Sequence, residues 1–164
     1  MTQMKTALMA RADSMKLLKG HVERLREAGY KYFSIEEYVL AEGYQAKPSA
    51  LTPEEEKEVA RVLAFSESTR FFRRECFHNA QSILTHGLLE TPMQYTEGYF
   101  WRPNVILPVH HAWVSINQKV VDLTVRMDKN GRGLKGRYKN RIFGSFPEGW
   151  EYFGVDIPRE HVLK

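Results

Sequence analysis

The sequence predicts an α+β fold, with a helical N-terminal part followed by an antiparallel sheet that packs on the helix bearing the single cysteine. Two observations lead to this prediction. Apolar residues at helical spacing and two helix-capping patterns occupy residues 1–70. Aromatic and β-branched runs with strand-like alternation dominate from residue 95 onward. A chain of 164 residues can bury one substantial core, so we expect a single domain over residues 1–164.

The first helix is predicted from the spacing of its apolar residues. Between residues 4 and 28 they recur at intervals of three, four and seven, which places them on one side of a helix. Gly29 provides a stop signal. The predicted apolar stripe consists of Leu8, Met15, Leu18, Val22 and Leu25.

Two capping boxes predict the next helices. In residues 34–37 a serine is followed three positions later by a glutamate. Residues 52–55 repeat this pattern with a threonine, and a proline occupies the first helical position. The helices that they open should end near Gly43 and near Phe65. We expect a loop over residues 44–51, which contain a proline.

The second half of the chain predicts one helix and four strands. The helix should begin at Cys76, continue to about residue 85 and stop at Gly87. A short turn should follow Pro158. The strands are predicted over residues 95–101, 109–116, 119–125 and 150–157.

The two middle strands form a hairpin that carries an unusual polar pair. With residues 117–118 as a two-residue loop, Trp113 pairs with Asp122. His111 is then the diagonal neighbour of Asp122 on the same face, roughly 7–8 Å away between backbones, which an imidazole and a carboxylate can span. We therefore expect a His–Asp pair on a polar face of the hairpin, and an aliphatic face that packs inward.

Cys76 is the candidate nucleophile for this pair. An aspartate hydrogen-bonded to one imidazole nitrogen fixes the tautomer and leaves the other nitrogen free to act as a base. A cysteine at a helix N-terminus beside an imidazolium is favoured as the thiolate. The predicted triad has Cys76 as nucleophile, His111 as general base and acid, and Asp122 as the orienting carboxylate.

The order and placement of these residues resemble the transglutaminase-like branch of the papain-like cysteine protease and transglutaminase superfamily. That family has Cys-x-x-x-Ala at a helix start, a strand with Gly-Tyr, a strand with His-Ala-Trp-Val, and then Asp-x-Thr. Its usual Gly before the Cys and Pro after the Asp are replaced here by Glu75 and Leu123. The matching residues are Cys76 with Ala80, Gly98 with Tyr99, His111 to Val114, and Asp122 with Thr124.

The resemblance implies a papain-like, transglutaminase-like catalytic core over residues 71–164. It also implies a cysteine-dependent amide hydrolase or acyl transferase, of the protease, deamidase or transglutaminase type, that acts on a protein or peptide substrate. With water as the second nucleophile the outcome is proteolysis or deamidation, and with an amine it is acyl transfer.

Further side chains are candidates for oxyanion or substrate contacts. Tyr95 or Asn79 could donate a second hydrogen bond to an oxyanion, beside the backbone N–H of the nucleophile. Asn79 could equally be an exposed helix residue, and Glu97 could line the cleft or be a surface charge. Trp113 is expected to pack over the His–Asp pair and shield it from water. His110 is expected to have a structural role on the aliphatic face.

A non-catalytic binding module on the same fold is the alternative function, and it could bind an acidic partner or nucleic acid. A carboxylate next to the thiol, as at Glu75, would raise the pKa of the thiol and oppose the thiolate. No cofactor is expected. No metal site is expected either, since the cysteine and histidines lack the paired spacing of zinc signatures.

The charge distribution indicates one more surface. The formal net charge is +4, and the segment that begins at Arg126 and ends at Arg141 holds seven Lys or Arg and one acidic residue. Its interleaved glycines favour a flexible loop beside the cleft, which could meet an acidic partner. Its single aromatic residue, Tyr138, offers little base stacking, so we do not expect a dedicated nucleic-acid surface.

The sequence also carries expectations about location. No run approaches the roughly 18 apolar residues of a membrane span, so we expect no membrane association. One cysteine allows no internal disulfide, and the N-terminal residues lack the apolar core of a secretory signal. We therefore expect a cytoplasmic protein.

Overall fold

The computed structural model describes residues 2–65, 75–86, 91–125 and 140–162, and it has the α+β organisation predicted from the sequence. Helices dominate the first part, and the long strands follow the cysteine-bearing helix. The helices are α1 (Gln3–Lys16), α2 (Lys19–Glu27), α3 (Ile35–Glu42), α4 (Pro53–Phe65), α5 (Cys76–His86) and α6 (Arg159–Val162). The strands are β1 (Tyr44–Gln45), β2 (Gln94–Trp101), β3 (Val109–Ile116), β4 (Lys119–Asp122), β5 (Ile142–Phe143) and β6 (Glu151–Ile157).

Within the described residues the six strands form one sheet in the order β1-β6-β2-β3-β4-β5, and every neighbouring pair is antiparallel. Strands β3 and β4 form the predicted hairpin, with Ile116 opposite Lys119. Its loop residues Asn117 and Gln118 both have positive φ angles, 50° and 62°. Such a turn matches the right-handed twist of the two strands, which fixes the register of the hairpin.

The N-terminal helix is broken, contrary to the single helix predicted for residues 4–28. Helix α1 ends before Leu17 and Leu18, which are 80% and 55% exposed, and α2 begins after them. Leu18 was therefore wrongly placed in the apolar stripe. The reason is that α1 buries a stripe with a spacing of four, which does not continue through Leu18. That stripe consists of Met4, Leu8 and Ala12.

Both capping boxes form hydrogen bonds. The Ser34 hydroxyl accepts the backbone N–H of Glu37 at 3.1 Å. Thr52 and Glu55 exchange two bonds, of 3.2 Å to the hydroxyl and 2.8 Å to the carboxylate. The helices they open end where the sequence predicts. Across the described ranges, no helix combines the length and apolarity needed to cross a membrane.

The helical part of the chain joins the sheet. Strand β1 lies within the predicted loop over residues 44–51 and pairs with the edge of β6, so residues 1–70 are not purely helical. The backbone can come this close because Gly43 lacks a Cβ, which would lie 2.9 Å from the carbonyl oxygen of Gly154 in β6. Helices α1 and α3 contribute Met4, Leu8 and Val39 to a core cluster with Tyr99 and Phe153 of the sheet.

Both faces of the sheet are buried. Helix α5 packs on one face. On the other face, side chains of the sheet strands cluster with aromatic residues of the segment before β6. The hairpin face predicted to be polar is therefore enclosed, so its polar residues have to find partners inside the protein. The first cluster includes Ala80, Ile83, Leu84, Ala112 and Val114. The second includes Phe100, Trp113, Val120, Phe146 and Tyr152.

Gly154 makes room for Trp113, and Gly98 makes room for the backbone of β6. Gly98 of β2 lies directly opposite Gly154 of β6. A Cβ on Gly154 would lie 2.6 Å from the Trp113 ring, and one on Gly98 would lie 2.2 Å from a backbone carbonyl. The indole occupies this space and stacks on the imidazole of His111, with centroids 6.0 Å apart. The Gly-Tyr pair of β2 thus has a packing role beside the candidate site.

Candidate active site

Cys76 is the first residue of α5, as the sequence predicts. The carbonyl of Glu75 accepts the N–H of Asn79 at 2.8 Å and so makes the first hydrogen bond of the helix. The backbone N–H groups of Phe77 and Ala112 lower the pKa of the Cys76 thiol. Helix N-termini carry partial positive charge, so this position favours a thiolate.

His111 and Asp122 form the predicted pair. Nε2 of His111 lies 2.6 Å from Oδ2 of Asp122, and both residues are buried. The ladder between β3 and β4 begins with Val114 opposite Val121, so His111 lies where the two strands part. Hydrogen bonds between charged groups are short and strong when they are withdrawn from water, as this one is.

Three further donors hold Asp122. Its Oδ1 accepts the backbone N–H groups of Thr124 at 2.8 Å and Val125 at 3.1 Å, and its Oδ2 accepts the Tyr152 hydroxyl at 3.0 Å. The two backbone bonds explain why β4 ends here instead of at residue 125, since those N–H groups turn toward the carboxylate. Burial raises the pKa of Asp122, but the neighbouring His111 and these N–H groups outweigh it and lower the pKa overall.

The second ring nitrogen of His111 serves Cys76. Cys76 and His111 are close enough for each to shift the pKa of the other, and because Asp122 holds Nε2, Nδ1 is the nitrogen available to the thiol. Burial lowers the pKa of His111, but Asp122 and Cys76 outweigh it and raise the pKa to about 9. Burial raises the pKa of the Cys76 thiol, but His111 and the backbone N–H groups bring it below its usual value. The pair therefore favours a thiolate beside an imidazolium.

A cleft of about 910 Å³ gives access to this pair. Cys76, His110 and His111 lie in its wall. The rest of its described lining is mostly apolar, with one cation and no carboxylate. A substrate can thus reach the sulfur along a mainly apolar surface. The other described lining residues are Phe77, Phe100, Arg102, Val105, Val109, Thr124 and Val125.

The surroundings of His110 differ from the aliphatic environment predicted. Its Nε2 lies 3.0 Å from Oε1 of Glu97, and its ring contacts those of Phe77 and Tyr99 at 5.0 and 5.4 Å between centroids. The side chain is 37% exposed. The reason is that at the start of β3 the imidazole meets the aromatic rings of Phe77 in α5 and Tyr99 in β2, while the aliphatic side chains of the core cluster lie further along the strand.

Glu97 and Tyr95 continue from His110. Oε2 of Glu97 accepts the Tyr95 hydroxyl at 3.2 Å, so this carboxylate is neither a simple surface charge nor a part of the described cleft lining. Tyr95 is buried, and burial followed by the charge of Glu97 raises its pKa. For Tyr95 to act as the predicted oxyanion donor, its hydroxyl would have to exchange this bond for one to the substrate.

Asn79 and Trp113 support the site from inside the protein. Asn79 is 1% exposed, and its amide donates to the Thr124 hydroxyl at 2.8 Å. The alternative of an exposed helix residue is therefore wrong, and the bond ties α5 to the segment after β4. Trp113 is also 1% exposed and packs over His111, as predicted. Neither residue is part of the described cleft lining.

Tyr152 is the residue of this site that sequence reasoning missed. It lies in an apolar, aromatic strand, where nothing in the spacing connects it to Asp122, which is 30 residues away. The available signal is chemical, because a buried tyrosine hydroxyl needs a hydrogen-bond partner. This rule predicts that Tyr152 has a partner but does not identify it, because the order of strands that brings Asp122 close cannot be inferred from the sequence.

The basic segment falls outside the described residues except for positions 140 and 141. Nη1 of Arg141 donates to the carbonyl of Thr124 at 2.7 Å, and Thr124 lies in the cleft wall. The acidic partner predicted for this segment stays a prediction. Among the residues that the structure describes, no group of three or more His, Cys, Asp and Glu side chains is arranged to hold a metal ion.

Comparisons with known proteins give no relative for this chain. No protein-family profile matches the sequence, and neither a curated protein nor a solved structure shows significant similarity to it.

Proposed function

We propose that the protein is a cysteine-dependent amide hydrolase or acyl transferase on a papain-like, transglutaminase-like core, with Cys76, His111 and Asp122 as its triad and a protein or peptide as its substrate. The observation that carries this proposal is the position of His111. One ring nitrogen is held 2.6 Å from a buried carboxylate, and the other is available to the thiol of Cys76, which borders the same cleft. This is the arrangement that nucleophilic catalysis by a thiol requires.

In the first half of the reaction the Cys76 thiolate attacks the carbonyl carbon of a substrate amide. The C–S bond forms, and the carbonyl oxygen becomes an oxyanion. As first residue of α5, Cys76 offers a backbone N–H that has no acceptor within the helix, and this group can donate to the oxyanion. His111 then gives its proton to the nitrogen of the leaving amine as the C–N bond breaks, leaving a thioester.

In the second half a nucleophile carrying an N–H or O–H attacks the thioester. The new bond to the carbonyl carbon forms while the nucleophile gives its proton to a base of the site, and the C–S bond breaks. The thiolate of Cys76 is restored, and His111 is protonated again. Throughout the cycle Asp122 keeps its four hydrogen bonds, so it holds the ring of His111 in one orientation.

The alternative binding module rests on Glu75, which replaces the family's glycine. Glu75 is exposed, and the contacts that set the pKa of the Cys76 thiol come from His111 and backbone N–H groups. A carboxylate in water is screened and acts weakly on its neighbours. The local chemistry therefore favours the enzyme over the module.

Alkylation by iodoacetamide separates the two functions, because Cys76 is the only cysteine in the chain. A free thiol has a pKa of about 8.5, so its alkylation slows below that pH. If the protein is an enzyme, the alkylation rate of Cys76 should stay high well below about pH 8.5. In His111→Gln the rate should instead rise only near that pH. A rate that titrates near pH 8.5 in both proteins would contradict the activated thiol and favour the binding module.

A further inference from the structure

Two adjacent histidines each hold a carboxylate through Nε2. His111 does so with Asp122 at 2.6 Å, and His110 does so with Glu97 at 3.0 Å. Because neighbouring strand residues point to opposite faces, the two pairs lie on opposite faces of β3. Both imidazoles border the cleft that contains Cys76. The proposed chemistry uses only the first pair.

The second pair lies close to the nucleophile. The ring of Phe77, the residue after Cys76, is in edge contact with His110 at 5.0 Å between centroids. On the other side, Glu97 accepts the hydroxyl of Tyr95. A line of hydrogen bonds thus runs from Tyr95 through Glu97 to His110 at the cleft.

The geometry of His110 is that of a base ready for use. Glu97 takes Nε2, and no described residue is hydrogen-bonded to Nδ1. Unlike His111, which is 5% exposed at the side chain, His110 is 37% exposed. A carboxylate-held imidazole with one nitrogen open to a cleft can accept a proton from a molecule that enters there.

We propose that His110, oriented by Glu97, is the general base for the acyl acceptor, so that the two halves of the reaction use different histidines. This inference rests on the proposed function. His111 protonates the leaving amine during acylation. His110 then takes the proton of the acceptor's O–H or N–H while the acceptor's oxygen or nitrogen bonds to the thioester carbon. The C–S bond breaks with its electron pair on sulfur. The proton on His110 then passes to solvent, and His111 takes up from solvent the proton that replaces the one it gave to the leaving amine.

The acceptor class that this site fits is a small nucleophile with a proton to give, either water or a primary amine. Both present an O–H or N–H to Nδ1 of His110. The imidazole recognises only this donor group, so it does not discriminate by the rest of the acceptor molecule. In this scheme Glu97 is a positioning residue, because it acts on the acceptor through the ring of His110.

The test uses p-nitrophenyl acetate as acyl donor and follows p-nitrophenolate in a stopped-flow instrument. Acylation of Cys76 gives a burst, and the steady rate that follows measures deacylation. His110→Gln should keep the burst rate and amplitude within about twofold. It should lower the steady rate by about 10²-fold, the lower end of general-base contributions. Glu97→Gln should lower the steady rate by a smaller factor, and Glu97→Asp should recover part of the loss.

His161→Gln is the matched control, since His161 lies exposed in α6, and both phases should be unchanged. The burst amplitude counts folded sites, so a variant that misfolds is recognised. Adding glycine methyl ester to the reaction shows whether the acceptor is water alone or also an amine. If an amine is accepted, N-acetylglycine methyl ester forms and the steady rate increases.

Loss of burst and steady rate in equal measure in His110→Gln, or an unchanged steady rate, would overturn the assignment of His110. A wild type without a burst, or a burst that persists in Cys76→Ala, would overturn the proposed function and this inference with it.

Discussion

The Tyr152 hydroxyl donates to Oδ2 of Asp122 at 3.0 Å, the same oxygen that pairs with His111 at 2.6 Å. Both residues are buried, so the phenol is a donor placed inside the protein for a charged acceptor. Burial, followed by the nearby charge of Asp122, raises the pKa of Tyr152, which keeps the hydroxyl protonated and able to donate. Tyr152 thus fixes the carboxylate that fixes the imidazole.

Tyr152→Phe should reduce the free energy of unfolding by about 1.5–3 kcal/mol, because it removes one hydrogen bond to a buried charged group without changing the shape of the ring. Urea unfolding measures this change. Tyr30→Phe is the matched control, since Tyr30 is 63% exposed and its variant should stay within about 0.5 kcal/mol of the wild type. Equal stabilities for the two variants would show that the Tyr152 bond contributes nothing.

Asp122→Asn should lower the rate of thioester formation by about 10²–10⁴-fold, because the amide favours the wrong tautomer of His111. The burst rate with p-nitrophenyl acetate measures this effect. Cys76→Ala should abolish the burst and leave the fold nearly intact. If Asp122→Asn reacted as fast as the wild type, Asp122 would have no part in the mechanism.

The same substitution should change how stability depends on pH. Burial lowers the pKa of His111, but Asp122, followed by Cys76, outweighs it and raises the pKa to about 9. The contribution of the Asp122–His111 pair to stability is therefore complete below the unfolded value of about 6.5 and is lost as pH rises through the raised pKa. Without Asp122, burial opposes the charged ring, and acid should destabilise the protein. In a Cys76→Ala background, where no thiol titrates, Asp122→Asn should cost more unfolding free energy at pH 5 than at pH 8. A cost independent of pH would contradict this coupling.

The gap that Trp113 fills should tolerate no methyl group. In Gly154→Ala the new Cβ would meet the indole at 2.6 Å and the carbonyl oxygen of Glu97 at 2.9 Å. Overpacking of this kind costs about 1–3 kcal/mol, which thermal or urea unfolding detects. Gly20→Ala in helix α2 is the control. It has open space around its Cβ and should gain up to about 1 kcal/mol from helix propensity. Similar behaviour of both variants would contradict the packing role of Gly154.

Local patterns in the sequence predicted the parts of the site that local geometry decides. The period of two along β3 and the two-residue turn at 117–118 were enough to bring His111 beside Asp122. A helix that begins at Cys76 was also predicted, with Gly87 as its stop signal, and the structure has this start. In each case the determining contacts lie within one element or one hairpin, where spacing translates directly into distance.

The sequence could not supply what depends on distant partners. Strands β1 and β5 have two residues each and exist only because longer strands pair with them. Likewise, the partner of Tyr152 is 30 residues away and that of His110 is 13 residues away. Their contacts follow from the order of strands in the sheet, which the periodicity of a single strand does not encode.

Intact-mass spectrometry of the protein, quenched in acid during turnover of p-nitrophenyl acetate, tests most directly whether Cys76 accepts an acyl group. We expect a mass gain of one acetyl group, located on Cys76 by peptide mapping. More acetyl-enzyme should accumulate in His110→Gln, because deacylation slows. Cys76→Ala should show no gain. An unmodified wild type, or an acetyl group that maps elsewhere and persists in Cys76→Ala, would contradict the claim that Cys76 is an acyl-accepting nucleophile.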